Sequence, residues 1–339
     1  MMTEAMLEQL AGTERSPLQC AILRELGRIR HEALEAARPT TAAVLTSFNK
    51  IEDVRRNLQS LVTQTQPFDR IIVVDNCSAD NTAEMVKKEF PQVHLIEMPH
   101  SAFGACETFN IGFREAGTDF VAILDDDVVL GPEWLVMMMA RMRLEPPTTA
   151  LLSSKVVEPG MPDWFKNHPS VNRERYMSTF RGCASLARSD VLARCGWYDE
   201  EFFIYGNERD LTARILGEGY RVLQYPAVVV RHGTPFGMKA GARSLFYHVR
   251  NLWWTLFKHC SVWEIVAFLS GQVTSQLSPR KAGVTADAVG TIGFLKTVRE
   301  TPGGFAVLIK ATLAALWGLP RCLKERRVCK AADFSPPTT

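Results

Sequence analysis

The apolar positions of this chain change their period several times, and those changes divide it. Over residues 3–37, Leu7, Leu10, Leu18, Ile22, Leu26 and Ile29 recur at helical spacing among mixed charges, which predicts a helical arm broken by Arg38-Pro39. Beyond it, short apolar runs alternate with amphipathic segments. Residues 42–46 predict a buried strand, and 51–64 a helix with Ile51, Val54, Leu58, Leu61 and Val62 on one face. Residues 70–75 predict a second strand. Turn chemistry from Asn76 to Thr82, with several candidate N-caps, leads into a helix ending near Phe90. A third strand is expected at 93–97, a helix at about 104–116 and a fourth strand at 120–124. Strands separated by helix-length segments imply an α/β fold with a mostly parallel sheet and right-handed crossovers. Ligands of such sheets sit beyond the carboxyl ends of the strands.

The second half is less regular. Residues 150–157 predict a strand, 158–178 a Pro- and Trp-containing loop suited to a flat ligand, and 179–187 a strand interrupted by Gly182. A helix at 189–195, an aromatic run at 202–205, a helix from Gly206 to about Gly217, and strand-like pieces at 220–225 and 227–231 follow. The last of these ends at His232. The expected organisation is a helical arm at 1–38, an α/β domain at 39–235 with halves 39–130 and 131–235, and a helical C-terminal region at 236–339.

Composition adds asymmetry to this pattern. The net charge is only +2, but residues 236–330 hold 14 Lys plus Arg against 4 Asp plus Glu, a net of +10 that leaves −8 elsewhere. Such a split suits an anionic ligand or a membrane surface, and solvated basic helix faces would produce it equally. Residues 304–319 carry Lys310 as their only charge and precede a cationic tail. That run is short for a span of about 20 residues and fits an interfacial helix on anionic lipid better. A buried hairpin or an oligomer contact is the alternative. The eight cysteines include no CxxC pair, so neither a zinc framework nor a disulfide pattern is indicated, and reduced thiols are expected. No apolar signal-peptide core opens the chain. These features predict a cytoplasmic protein, peripheral on the inner face of the membrane, with no nucleic-acid partner.

The chemistry concentrates in residues 120–130, where five apolar residues run into Asp125-Asp126-Asp127 and three more apolar residues follow. Three adjacent carboxylates repel one another and need cationic compensation, which a hard divalent ion shared with a diphosphate supplies. Alternation along an extended chain sends Asp125 and Asp127 to one side and Asp126 to the other. A solvated acidic turn capping a helix at Pro132-Glu133-Trp134 is the plainer account. Asp75, at the end of another predicted strand, favours the functional one, because two acidic strand ends then share one sheet edge.

Three segments together resemble a known family. Val73 to Thr82, reading VVDNCSADNT, is similar to the VVDNxSxDxT signature of inverting, family-2 nucleotide-sugar glycosyltransferases of GT-A fold. Asp125-Asp126-Asp127 resembles their DxD motif, and residues 202–214 resemble their FxxYxEDxDLxxR segment. The resemblance covers about residues 40–235, and within the family it is most like bacterial rhamnosyltransferases of surface-polysaccharide synthesis. It implies a GT-A nucleotide-binding sheet, a Mg²⁺ or Mn²⁺ cofactor, a UDP- or dTDP-sugar donor, and a glycan or polyprenyl-linked acceptor.

By position, the resemblance implies that Thr46, Ser47, Phe48 and Asn49 line the donor pocket with Asn76 and Ser78, that Asp75 binds the base, and that Asp125 approaches the ribose or sugar. Asp126 would sit nearby, oriented toward backbone or a basic neighbour. Asp127 would ligate the metal with His232. The family's acidic pair reads here Asn207-Glu208-Arg209-Asp210, so Glu208 falls at the general base and Asp210 becomes the second acid; a capping role at the helix start is the alternative for either. Trp164, Trp197 and Tyr205 are candidates for stacking on acceptor sugar rings, with core packing as the alternative. Two other classes compete: a nucleotidyltransferase, whose Gly-rich basic loop is absent after the first strand, and a non-catalytic sugar- or lipid-binding module.

Overall fold

The structure, a computed structural model, describes residues 38–277 and 294–336. The arm expected at 1–38 therefore lies, apart from Arg38, outside the described residues. The described residues from Thr40 onward form one compact unit.

The first three strands, β1 (Thr41–Ser47), β2 (Arg70–Asp75) and β3 (His94–Glu97), pair in parallel, and β4 (Phe120–Leu124) joins β1 in parallel on its other side. The intervening helices are α1 (Ile51–Val62), α2 (Thr82–Glu89) and α3 (Ala105–Ala116). All five residues of β4 are buried, as a strand covered by helices on both faces requires. The sheet continues through β5 (Val128–Val129), β6 (Thr149–Val157), β7 (Arg175–Tyr176), β8 (Ala184–Arg188) and β9 (Arg221–His232). Its order is β3-β2-β1-β4-β8-β6-β9-β5, with β7 also on β9. Only β8 reverses within its core, antiparallel to both β4 and β6.

One apolar layer joins Leu58 and Leu61 of α1 with Trp134, Leu135 and Met138 of α4 (Trp134–Leu144). The opposite layer joins Phe109 and Phe113 of α3 with Val191 of α5 (Ser189–Arg194), Leu211 of α6 (Asn207–Gly217) and Trp254 of α7 (Ala242–His259). The C-terminal part adds α8 (Val262–Leu277), α9 (Phe294–Glu300), α10 (Gly304–Trp317) and α11 (Leu319–Lys324). No helix among the described residues is long and apolar enough to cross a membrane.

Two expectations change. The strand read over 179–187 begins only at Ala184, because the chain before it turns, with Arg181 N donating to Ser153 Oγ and Ala184 N to the Arg181 carbonyl. The pieces at 220–225 and 227–231 are one strand, β9, whose register against β6 jumps from Ser154↔Tyr225 to Lys155↔Val229. Pro226 lies in that jump, where its missing N–H costs the ladder nothing.

Candidate active site

A cleft of about 600 Å³ opens beyond the carboxyl ends of β1 and β4. Thr46, Ser47, Phe48, Asn76, Asp125, Asp126, Asp127, Tyr205, Glu208 and His232 all line it, together with Lys50, Glu158, Gly182 and Cys183.

The donor-side residues form a hydrogen-bonded brace. Asp75 is buried, and its carboxylate accepts from Ser47 Oγ (2.7 Å), Ser78 Oγ (2.6 Å) and Ser78 N (2.8 Å). Asn49, at φ 54°, donates from its N–H to Ser78 Oγ and accepts from Ala79 N–H. The loops after β1 and β2 are thus tied to each other. Asn49, Asp75 and Ser78 do not line the cleft; they fix the backbone of Thr46, Ser47 and Asn76, which do.

The acidic triplet leaves the strand as a turn rather than an extended run. Even so, its side chains separate. Asp126 pairs with Lys50 at 2.8 Å, while Asp125 and Asp127 converge on His232 Nε2 at 3.4 and 3.0 Å. Asp127 also accepts from Thr234 Oγ (2.8 Å) and lies 3.3 Å from Lys50. Burial works against its charge, yet His232, Lys50 and Thr234 outweigh burial and hold it below the ordinary carboxylate range. Asp126 goes the other way, lifted by burial to about 7 against the pull of Lys50. The backbone beneath is set by α1: Asn57 Nδ2 donates to the Asp125 carbonyl (2.8 Å), Ser60 Oγ accepts from Leu130 N, and Gln64 binds Gly131 and Leu135.

Antiparallel pairing of Val128 with His232 delivers the histidine to the triplet. Its other nitrogen, Nδ1, meets Glu158 at 3.0 Å, an arrangement that orients an imidazole for ligation. Asp125, Cys183 and His232 place one ligand atom each within 4.8 Å of one another. Carboxylate oxygens plus one oriented imidazole suit a hard or borderline divalent cation, and the cleft residues fit such an ion.

Glu208 stands in the first turn of α6, after Gly206 at φ +74°. Burial raises its carboxyl to about 7, and the Asp125 charge adds to the rise. The carboxylate rests against Gly182, where any added Cβ would overlap Glu208 Oε1. The loop before it holds Phe203 and Tyr205 at positive φ. Strain of that kind persists only when surroundings enforce it. Here buried Asn251 of α7 donates from Nδ2 to the carbonyls of Phe202, Ile204 and Tyr205, and His248 stacks on Tyr205 with ring centroids 4.2 Å apart.

Three more sequence candidates lie outside the cleft. Asp210 is fully buried against Arg214 (2.8 Å), Lys258 (3.0 Å) and His259 (2.8 Å). Trp197 stacks on Phe113 in the core, and Trp164 is exposed outside the cleft. Sequence reasoning missed Lys50, Glu158, Cys183 and the Asn57–Ser60–Gln64 stripe. Only the stripe had a signal, a polar spacing of three and four residues alongside the apolar face of α1.

A mostly parallel sheet flanked by helices, with carboxylates beyond the carboxyl end of β4, is a fold of the GT-A class. Residues 42–204, just under half of the chain, match the family model described as Glycosyl transferase family 2, so this stretch is a domain of that family. The match ends just before Tyr205 and Glu208. The pre-mycofactocin glycosyltransferase of Mycobacterium tuberculosis is 29% identical over 230 residues, covering 61% of this chain and 47% of that protein. The chain thus spans about half the length of the curated relatives it matches. Among solved structures, the mannosyltransferase PcManGT of Pyrobaculum calidifontis, in complex with GDP-Man and Mn²⁺, superposes with a TM-score of 0.52 at 18% identity, over 85% of this chain and 74% of that one. GalNAc-T7 with UDP, GalNAc and Mn²⁺ gives 0.54 at 13% identity, over 84% and 57%. These likenesses establish the fold.

Proposed function

We propose that this protein is an inverting, metal-dependent glycosyltransferase, moving a sugar from a UDP- or dTDP-type donor to a hydroxyl of a glycan or lipid-linked glycan in surface-polysaccharide synthesis. The observation that carries the reading is the pairing, in one cleft, of a Glu208 carboxyl raised to about 7 with the Asp125–Asp127–His232 group. One face of the cleft is equipped to take a proton and the other to hold a diphosphate. GDP-Man, UDP and Mn²⁺ in the fold neighbours support a nucleotide sugar and a divalent ion here.

Bound by Asp127 and His232, with Asp125 alongside, Mg²⁺ or Mn²⁺ would neutralise charge gathering on the leaving diphosphate. Glu208 accepts the proton of the acceptor hydroxyl, a task typically contributing about 10²–10⁴-fold. As that O–H bond breaks, the oxygen bonds to the anomeric carbon, and the bond from that carbon to the diphosphate oxygen breaks, its electron pair leaving with the nucleoside diphosphate. Attack opposite the leaving group inverts the centre. Thr46, Ser47 and Asn76 hold the nucleotide, and Lys50 holds Asp126 beside it.

Calorimetry with UDP and a turnover assay over a panel of UDP- and dTDP-sugars test this. Glu208→Gln is expected to abolish turnover and keep UDP binding, whereas Asp127→Ala loses the Mn²⁺-dependent part of UDP binding. Nucleotide binding that ignores Mn²⁺, or wild-type turnover by Glu208→Gln, would remove the reading.

A further inference from the structure

Helix α10 packs the wrong way round for a helix whose outer face meets water. Its fully buried positions are small, and Val307 and Leu308 are half-buried against the same cluster. Ala311 and Ala315 are fully buried against α7, Ala311 beside Leu245 and Val249, and the Ala315 carbonyl accepts from Trp254 Nε1 at 3.2 Å. At Gly318, just past its end, a Cβ would sit 2.7 Å from the Trp254 ring, so a larger residue would push α10 away. Its large apolar side chains point outward: Phe305 is 70% exposed, Leu313 61% and Trp317 89%, with Ile309 and Leu316 between them. An amphipathic surface helix places such residues inward and its polar ones outward. Exposed apolar area of this extent marks a surface that something apolar covers.

The charge pattern identifies what. From Gly304 to Lys324 there are three cations and no acidic residue. Arg321 turns inward to Asp199, while Lys310 and Lys324 are exposed beside the apolar ridge. Large aliphatic and aromatic side chains, a terminal Trp and flanking lysines match the boundary of an anionic bilayer. Fourteen residues rise about 21 Å, less than a hydrocarbon core of about 30 Å, so the helix lies in the interface rather than across it. On α8, Val262, Trp263, Val266 and Leu269 repeat the pattern at helical spacing, with Trp263 82% exposed.

We propose that α10, with the start of α11, docks this protein on an anionic lipid surface. Resting on the function proposed above, the placement also names the acceptor class. Helix α7 lines the cleft with Ser244, His248 and Leu252 and carries α10 on its neighbouring face through Leu245 and Val249. A cleft one helix layer from the bilayer is placed for a sugar acceptor held on a membrane lipid.

The test is co-sedimentation of the full chain with vesicles of phosphatidylcholine alone or with phosphatidylglycerol, alongside analytical ultracentrifugation without lipid. Wild type is expected to partition onto the anionic vesicles. The triple variant Phe305→Ser/Leu313→Ser/Trp317→Ser, altered only at exposed positions, should lose at least about tenfold of that partitioning. Its Mn²⁺-dependent UDP binding should stay unchanged. Absence of wild-type partitioning, equal partitioning by the triple variant, or a dimer that the triple variant abolishes without any vesicle binding would each overturn the proposal. UDP calorimetry on the same samples separates these failures from failure of the glycosyltransferase reading.

Discussion

Glu208 and Asp127 show how position alone sets the state of a carboxylate. Both are shielded from water; Asp127 has cationic and hydroxyl partners, and Glu208 faces mainly burial and another acid. A base whose carboxyl titrates near 7 works only when deprotonated, so kcat/KM is expected to climb through about pH 7 to a plateau. Stability runs the opposite way. With a folded-state value above the unfolded one of 4.5, the folded chain binds the extra proton between the two, and stability falls as pH rises through that window. Glu208→Gln removes this loss and is expected to stabilise the protein by up to about 3 kcal/mol at pH 7 and above, fading toward pH 4. Thermal unfolding of the two proteins across that range checks it. A variant no more stable at pH 8 than wild type would show that Glu208 is not held near 7.

At the scale of elements, helix α1 acts as a splint for the acidic turn. Asn57→Ala removes the donor to the Asp125 carbonyl and leaves that oxygen without a hydrogen bond, a loss of about 1–3 kcal/mol. The turn carrying the metal-side carboxylates then loosens, so a fall in Mn²⁺-dependent UDP affinity is expected with the apparent Tm, measured by calorimetry on the same preparation. Unchanged affinity in a destabilised protein would confine Asn57 to a structural role. This splint also explains how far the sequence could be read. Strand and helix alternation over residues 41–124 is local, and periodicity placed each element to within a residue or two. Asp125 and Asp127 were legible because acidic strand ends on one sheet edge share a cleft, whereas His232 was expected beside them only through the family resemblance. Lys50, Asn57 and Glu158 were not, since their partners lie 76, 68 and 74 residues away. Trp164 and Trp197 failed to reach the cleft for a related reason: an aromatic side chain satisfies a core as readily as a ligand, and Trp197 found Phe113.

For the molecule as a whole, the decisive feature is that the C-terminal helices hold the loop of the candidate base. Asn251 of α7 binds three carbonyls of the strained loop, and beneath it Asp210 of α6 meets Lys258 and His259 of α7, while Asp199 binds Lys258 (2.7 Å) and Arg321 of α11 (2.6 Å). Burial opposes the charge on Asp210, but Arg214, His259 and Lys258 overcome it and hold the carboxylate well below its ordinary range. Its depressed value means the contribution to stability is present above the unfolded carboxylate range, near 4, and is lost as pH falls below it. Asp210→Asn leaves Lys258 and His259 buried with less negative charge, and breaking such a cluster costs about 3–5 kcal/mol. The variant is therefore expected to melt well below wild type at pH 7, with the gap closing as pH falls below about 4. Lys258→Met takes one cation from both Asp199 and Asp210, which keep Arg321 and the Arg214–His259 pair respectively, and is expected to lower the melting temperature as well. Should Asp210→Asn keep the wild-type melting temperature yet lose turnover, Asp210 would be acting in the chemistry and not in the frame. The expected result, instability with residual turnover in the folded fraction, would tie α6, α7 and α11 into one support for Glu208 and join the reactive cleft to the helix layer that carries the lipid-facing surface.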